Sequence, residues 1–581
     1  MKRHCQLILV SLLLIVAGCS KKSDLPVTIH LIETTDVHGT IFPTEGQYQS
    51  LAQVSYWVDS LRNAVDQEHV LLMDNGDILQ GTPLVYVANF KDTLETHWVA
   101  KALNYMNYDV ASVGNHDIEA GHSVYDRYDQ HTQFPLLAAN AIDNKTGEPY
   151  FQPYAIVEKS GMKIAVLGLI TPGIPGWLPE SLYKGISFND MVETARKWVP
   201  VIMENEKPDM LVGLFHAGGN HAYGGDKEAY MNENASIMVA QKVPGFDAVF
   251  LGHDHRKWNK TVKNEQTGQD VWVVGAGSRS KQLGHLAVTF TDSGKIFKSS
   301  IVELENSPAD SAFISRFEYE KKELESFVNE PIGRLTEEMN SESSFWEPTA
   351  FIDLIHQVQL NQTQADISIT APLSFRTYLP ADTLYRKDLF DLYRYENYIN
   401  GIKMYGSELD DYLEYSYGLW FQTMDGTSDN ALRFARNDEG DLIYSDRYET
   451  YQLENRYYNF DAAAGIKYTV NLSKPVGDRV TIMKMTSGVK FCVDSLYKIA
   501  VNSYRASGGG GHFQKGAGLT SQEVKERTYY SSSRDLRHYL ANYMLKNTPY
   551  TPEVISDWSL IPESWIIKAK EKDKKMLFGS E

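Results

Sequence analysis

Cysteine is nearly absent from this chain. Three residues in 581, at positions 5, 19 and 492, leave no basis for a disulfide framework. Long apolar runs are missing too: the strongest, residues 7–16, is about half the ~20 residues that a spanning helix needs. Basic charge is in the minority, 56 Lys+Arg against 75 Asp+Glu, for a formal net charge of −19. That balance argues against a nucleic-acid polymer as partner, because such proteins present a basic face to the phosphates. There is no internal repeat and no low-complexity tract. What remains is 43% hydrophobic and 23% charged, an ordinary folded composition that excludes wholesale disorder. At roughly 150 residues per domain the length implies two to four domains. An anionic ligand would need a local positive site in so acidic a chain.

The first residues form a targeting signal. Lys2 and Arg3 precede the apolar run, and small residues follow it at Ala17 and Gly18. Val16-Ala17-Gly18-Cys19 resembles the bacterial lipobox, so residues 1–18 are expected to be removed and Cys19 to carry a lipid anchor. Residues 19–26 would be a polar tether. The alternative is an ordinary signal peptide that happens to contain Cys19. Either way the chain is exported, and with the lipid it would sit on a bacterial membrane, periplasmic or surface-exposed. Cys492 is then a lone thiol.

Short apolar runs at 27–33, 70–73, 163–170, 210–215 and 248–251 mostly end in turns carrying Asp, Gly, Asn or His, with helix-length segments between several of them. Strands alternating with helices, loaded at their ends, predict an α/β domain over 27–305 with its reactive groups on loops at the strand C-termini. Charged residues with apolar ones at helical spacing predict a connecting helix over 313–328, inside a linker region 306–345. A second α/β domain follows over 346–560, with helices expected at 408–417 and 535–545 and strands at 365–370, 466–472 and 496–502. Residues 561–581 read as a charged, frayed tail.

Five motifs stand in order after the strands: Asp36-Val37-His38, Gly76-Asp77, Gly114-Asn115-His116-Asp117, His216, and Gly252-His253-Asp254-His255. Each alone is a common turn or cap. Together they offer carboxylate, amide and imidazole donors without thiolate, a set suited to Zn²⁺, Mn²⁺, Fe or Co. The series resembles the calcineurin-like metallophosphoesterase family, with no ligand missing. That resemblance implies a β-sandwich flanked by helices and two divalent metal ions as cofactors. Asp36, His38 and His255 would hold one ion and Asn115, His216 and His253 the other, with Asp77 bridging. It also implies that His116 stabilises the transition state or protonates the leaving group, oriented by a carboxylate, either Glu119 or Asp117. Asp254 is expected to point away from the metals.

The second domain resembles the C-terminal domain of secreted 5′-nucleotidases, in Ala365-Asp366-Ile367-Ser368, 388–393, 401–413 and 502–513. Within that superfamily, Tyr457-Tyr458-Asn459-Phe460-Asp461, Asn502-Ser503-Tyr504-Arg505-Ala506 and Ser556-Asp557-Trp558 are similar to the 2′,3′-cyclic-nucleotide 2′-phosphodiesterase/3′-nucleotidase branch. A small-molecule nucleotide substrate follows, and no protein partner is implied. Tyr458 and Tyr504 offer faces for a base, a contact worth about 1–3 kcal/mol; Phe460 competes with Tyr458, and half-buried strand residues are the plain alternative. Arg505, Ala506, Ser507, Gly508, Gly509 and Gly510 would line the nucleoside, the glycines either letting backbone approach it or serving only as a connector. Arg376 is a phosphate contact or a surface residue. The expected activity is hydrolysis of 2′,3′-cyclic nucleotides to 3′-nucleotides and then to nucleosides. The rivals are a 5′-nucleotidase or UDP-sugar hydrolase, and a non-catalytic nucleotide-binding surface lipoprotein.

Overall fold

The computed structural model describes residues 25–44, 48–219, 230–437, 439–445 and 450–579. The export signal and Cys19 lie outside the described residues. Among those that are described, no helix is long and apolar enough to cross a membrane.

Besides the small pair Ala141–Asp143 and Ile186–Phe188, twelve described strands build the main sheets of the first domain: β1 (Val27–Thr34), β2 (Val70–Asp74), β3 (Val110–Ser112), β4 (Leu136–Leu137), β5 (Tyr154–Lys159), β6 (Met162–Ile170), β7 (Met210–His216), β8 (Ala248–Leu251), β9 (Lys257–Lys263), β10 (Asp270–Ala276), β11 (Gln282–Thr291) and β12 (Gly294–Glu303). They form two six-stranded sheets, in the orders β12-β11-β1-β2-β3-β4 and β9-β10-β8-β7-β6-β5. The period of two along each strand decides what faces what. Ile29 and Leu31 of β1 meet Met210, Val212 and Leu214 of β7 in the core between the sheets. Leu211 and Phe215 turn the other way, under the helices Met191–Asn205 and Ser236–Lys242. β7 is buried along its whole length, as a strand covered on both faces must be, and its sequence is accordingly almost continuous apolar residues. The β-sandwich flanked by helices is therefore the expected one.

β1, β2 and β3 run parallel to one another, as do β6, β7 and β8. Their C-terminal ends supply all five motif loops.

The linker is two helices rather than one, Ser311–Arg316 and Glu318–Val328, broken at Phe317 (φ −108°, ψ 27°). Phe317 and Phe313 are buried against Phe42 of the first domain, so packing wins over helical continuity. The second domain starts earlier than expected, since strand Pro331–Arg334 already pairs with Thr383–Tyr385. Its main sheet contains β13 (Ile367–Thr370), β14 (Tyr398–Tyr405), β15 (Ala462–Ala464), β16 (Leu496–Asn502) and β17 (Thr528–Asp535), ordered β15-β13-β16-β14-β17. The long helix Gly406–Trp420 packs on it through Leu409, Tyr412, Leu413 and Tyr417.

The charged tail is a correction. Residues Glu563–Phe578 form a helix that buries Ile566, Ala569, Asp573 and Leu577 along one face. Asp573 accepts from the backbone N–H of Ala431 (3.1 Å) and Leu432 (2.9 Å) and from the Asn430 amide (2.7 Å). Five lysines on the other face disguised this stripe as a solvated run.

Candidate metal centre

The loops that follow β1, β2, β3 and β8, and the last residue of β7, converge on one point of the sandwich edge. Asp36, His38 and His255 bring ligand atoms within 4.8 Å of one another, and so do Asp77, His216 and His253. Asn115 joins the second group, its Oδ1 2.8 Å from His253 Nδ1. Asp77 serves both: its Oδ2 is 3.1 Å from His216 Nε2, and its charge acts on His38 of the first group as well. All seven expected ligands are thus brought together.

The backbone is bent to do this. Asp36 (φ 49°), His38 (48°), Asp77 (57°), His253 (74°) and His255 (56°) all occupy the left-handed region, where a non-glycine residue is uncommon. Backbone hydrogen bonds compensate: Asp36 N–H donates to Gly76 O (3.0 Å) and His38 N–H to Asp77 O (2.9 Å). Gly114 is needed here, because a Cβ would fall 2.2 Å from Asp77 Oδ1.

Neighbouring carbonyls set the imidazole tautomers. His216 Nδ1 faces Asn75 O at 2.6 Å and His38 Nδ1 faces Gln80 O at 3.2 Å, which leaves the Nε2 lone pairs aimed into the site. His216 Nε2 is buried and, although Asp77 Oδ2 is 3.1 Å away, makes no hydrogen bond of good geometry. An orphaned buried lone pair beside a carboxylate is what a cation would satisfy, so the donor set fits divalent metal. Sequence reasoning passed over Asn75 and Gln80, although both flank the Gly76-Asp77 motif.

Charges in the cluster act strongly on one another. Burial works against ionisation of Asp36, but His255 and His216 outweigh it and hold its pKa down at about 2. Burial opposes protonation of His216, yet Asp77 holds its pKa up at about 10. His38 and His253 are pushed down to about 3 by burial and by neighbouring imidazoles.

His116 is the second residue of the short helix Asn115–Glu119, with its Nδ1 in contact with Glu119 Oε2. Its ring lies 5.3 Å from that of His38. Burial opposes its charge, but Asp77 and Glu119 together lift its pKa to about 9. Asp117, the other orienter considered, is committed elsewhere. Its carboxylate accepts from the N–H groups of Asp77, Ile78 and Leu79, each at 2.9 Å, and of Gly114 at 2.8 Å. Asp254 turns outward to Gly219 N–H (3.0 Å) and the Trp258 indole (3.1 Å).

In the second domain Tyr458 and Tyr504 lie edge to face, 6.2 Å apart at 83°. Phe460 is fully buried and stacks on Trp420, which removes it as a rival for the base. Arg505 is a correction. All five of its N–H donors are used, on Asp461 (2.6 and 3.1 Å), Asn459 Oδ1 (3.1 Å), Gly509 O (3.1 Å) and Tyr458 O (2.7 Å). It staples the two loops together instead of reaching a ligand. Gly508, Gly510 and Gly511 have φ of 107°, 73° and 74°, so the glycine run is a shaped turn and not a slack connector. Ala506 packs against the core, Ser507 is half-buried beside it, and Gly509 lies under the Tyr504 ring. Arg376 is a second correction: it donates to Leu577 O (3.3 Å) and covers Phe578, held by the terminal helix.

A family model for calcineurin-like phosphoesterases matches residues 29–257, and one for the 5′-nucleotidase C-terminal domain matches 331–516. The chain belongs to the metallophosphoesterase nucleotidases, which are hydrolases, and calcineurin-like phosphoesterases bind divalent metals. Among curated relatives, the 2′,3′-cyclic-nucleotide 2′-phosphodiesterase/3′-nucleotidase of Haemophilus influenzae is 26% identical over 617 residues, covering 93% of this chain and 88% of that one. The trifunctional nucleotide phosphoesterase protein YfkN of Bacillus subtilis is 26% identical over 610 residues, 93% of this chain. This chain spans only 39% of that relative's length. A solved candidate 5′-nucleotidase from Staphylococcus aureus, in complex with α-ketoglutarate, superposes with a TM-score of 0.74 at 20% identity over 92% of this chain and 99% of that one. This last is a likeness of fold.

Proposed function

We propose that the protein hydrolyses 2′,3′-cyclic nucleotides to 3′-nucleotides and then releases the 3′-phosphate, both at one two-metal site. The observation that carries this is the pair of ligand groups sharing Asp77 beside the His116–Glu119 contact. The choice of nucleotide is supported by the relative from Haemophilus and by the three motifs of the second domain at 457–461, 502–506 and 556–558. Asp36, His38 and His255 would hold one ion, and Asn115, His216 and His253 the other. When bound, such a pair supplies Lewis-acid polarisation of the phosphoryl oxygens and a water of lowered pKa.

The residues around the ions do the rest. Glu119 occupies His116 Nδ1, so the proton is exchanged with the leaving oxygen at Nε2. Asp117 holds the Asp77 and Asn115 loops in register through their backbone. Tyr458 and Tyr504, on loops stapled by Arg505, border the nucleoside. Bringing each phosphate in turn to the metals requires the second domain to move about the break at Phe317.

Initial rates on 2′,3′-cAMP, 3′-AMP, 5′-AMP and UDP-glucose, with Mn²⁺ or Zn²⁺ added, test the reading. The cyclic and 3′ substrates are expected to dominate. Faster 5′-AMP or UDP-glucose turnover would make it a 5′-nucleotidase or UDP-sugar hydrolase, and binding without turnover would leave a nucleotide-binding surface protein.

A further inference from the structure

We propose that Trp177 is a positioning residue for one ion, its indole holding the His253 imidazole in the orientation that the Asn115, His216 and His253 group needs. The inference rests on the two-ion reading above.

Trp177 belongs to the loop that leaves β6 at its C-terminal end. Ile170, the last residue of β6, pairs with His216, and Thr171 N–H donates to His216 O at 2.9 Å. The loop therefore starts beside one ligand of the group and returns over another. Its sequence, Thr171-Pro172-Gly173-Ile174-Pro175-Gly176-Trp177-Leu178-Pro179, is stiffened by three prolines. Ile174 and Leu178 are buried in the core on either side of Trp177, so the indole has little freedom.

The indole stacks on His253, with ring centroids 5.5 Å apart and planes 25° from parallel. Gly173 packs against the indole, where a Cβ would stand 2.6 Å from the ring, so a larger residue there would displace the indole from its place on His253.

His253 needs this support. His38 and His216 each turn one ring nitrogen to a backbone carbonyl, whereas among the described hydrogen bonds the His253 ring has only Asn115, itself an expected ligand. Its backbone is the most strongly left-handed of the seven expected ligands, with φ 74°. Stacking replaces the missing carbonyl as the constraint on the ring. The other group is more open, with the His255 side chain 45% exposed, and among the described residues no indole is stacked on it.

The test is titration of the metal-free full-length protein with Co²⁺, followed by calorimetry and by intrinsic fluorescence. Wild type is expected to take two ions per chain. In W177A one dissociation constant should rise by about 10–100-fold, as when a partner of a ligating His is lost, while the other stays within about twofold. W177F should recover most of the affinity, and G173A should weaken the same ion. The fluorescence quenched by Co²⁺ in wild type but not in W177F should follow the weaker-binding step of W177A. Melting temperatures without metal show whether each variant is folded; if W177A is not, W177L is read in its place. Two unchanged constants in W177A, or equal weakening of both, would overturn the proposal. Fewer than two ions in wild type would overturn the two-ion reading instead.

Discussion

Residues at the centre are held in costly conformations. Each left-handed non-glycine residue costs of order 1–3 kcal/mol, and five of them crowd around one point. That strain is repaid by the backbone bonds from the Asp36 and His38 loops and by the four N–H groups on Asp117. Glu119 does a different task, fixing the His116 tautomer. We therefore expect E119Q to lose about 10²-fold in kcat, the lower end of what a positioned acid contributes, with its metal content unchanged. Steady-state kinetics beside metal analysis checks this; full activity would remove Glu119 from the chemistry. The residues that gather at the centre were legible in the sequence because each lies in a short motif next to a strand end. The part played by Arg505 was not, because Asp461, 44 positions away, decides where its guanidinium goes.

At the scale of elements, the hydrophobic pattern served well where strands are buried and poorly where charge masks a stripe. β7 could be read from its continuous apolar run. The helix Glu563–Phe578 could not, since its buried face contains a carboxylate. Burial lifts the Asp573 pKa to about 6, and the donors from Asn430, Leu432, Trp346 and Ala431 pull against it. D573A would leave those donors unsatisfied, so we expect it to destabilise the second domain by about 1–3 kcal/mol. A denaturant midpoint unchanged from wild type would show that the helix merely rests on the surface.

Across the whole molecule, the two domains meet beside the His116–Glu119 pair. Tyr86 of the first domain stacks on Phe327 of the linker (5.7 Å) and reaches Asp535 of the second through its hydroxyl (3.3 Å). The Arg537 guanidinium lies 4.2 Å over Phe390 and 2.9 Å from the buried Glu396. Glu119, Glu396, Tyr398, Arg534 and Asp535 line the cleft between them. Burial raises the Glu396 pKa to about 7; Arg537 opposes this, and Glu119 and Asp535 add to it. The sign follows from linkage: the closed arrangement binds this proton more tightly than an open one in which the acid meets water at its usual 4.5. Closure is thus most favourable at low pH and weakens as pH rises from about 4.5 through 7. Small-angle scattering of the metal-loaded chain should show expansion over that range, and E396Q should abolish the pH dependence. A radius that does not change with pH in wild type would refute the coupling.

The sequence by itself determined the alternation of strands and helices with reactive residues at the strand ends, and through the family resemblance the sandwich and the expected ligands, because strand periodicity and short motifs are local patterns that a few neighbouring residues complete. Tertiary structure alone decided which carboxylate serves His116, that Arg505 and Arg376 brace the scaffold, that Trp177 covers His253, and that the last helix belongs to the second domain. Each of these depends on a contact between distant segments. Such contacts are set by packing and by competition for buried donors, which no stretch of chain records on its own.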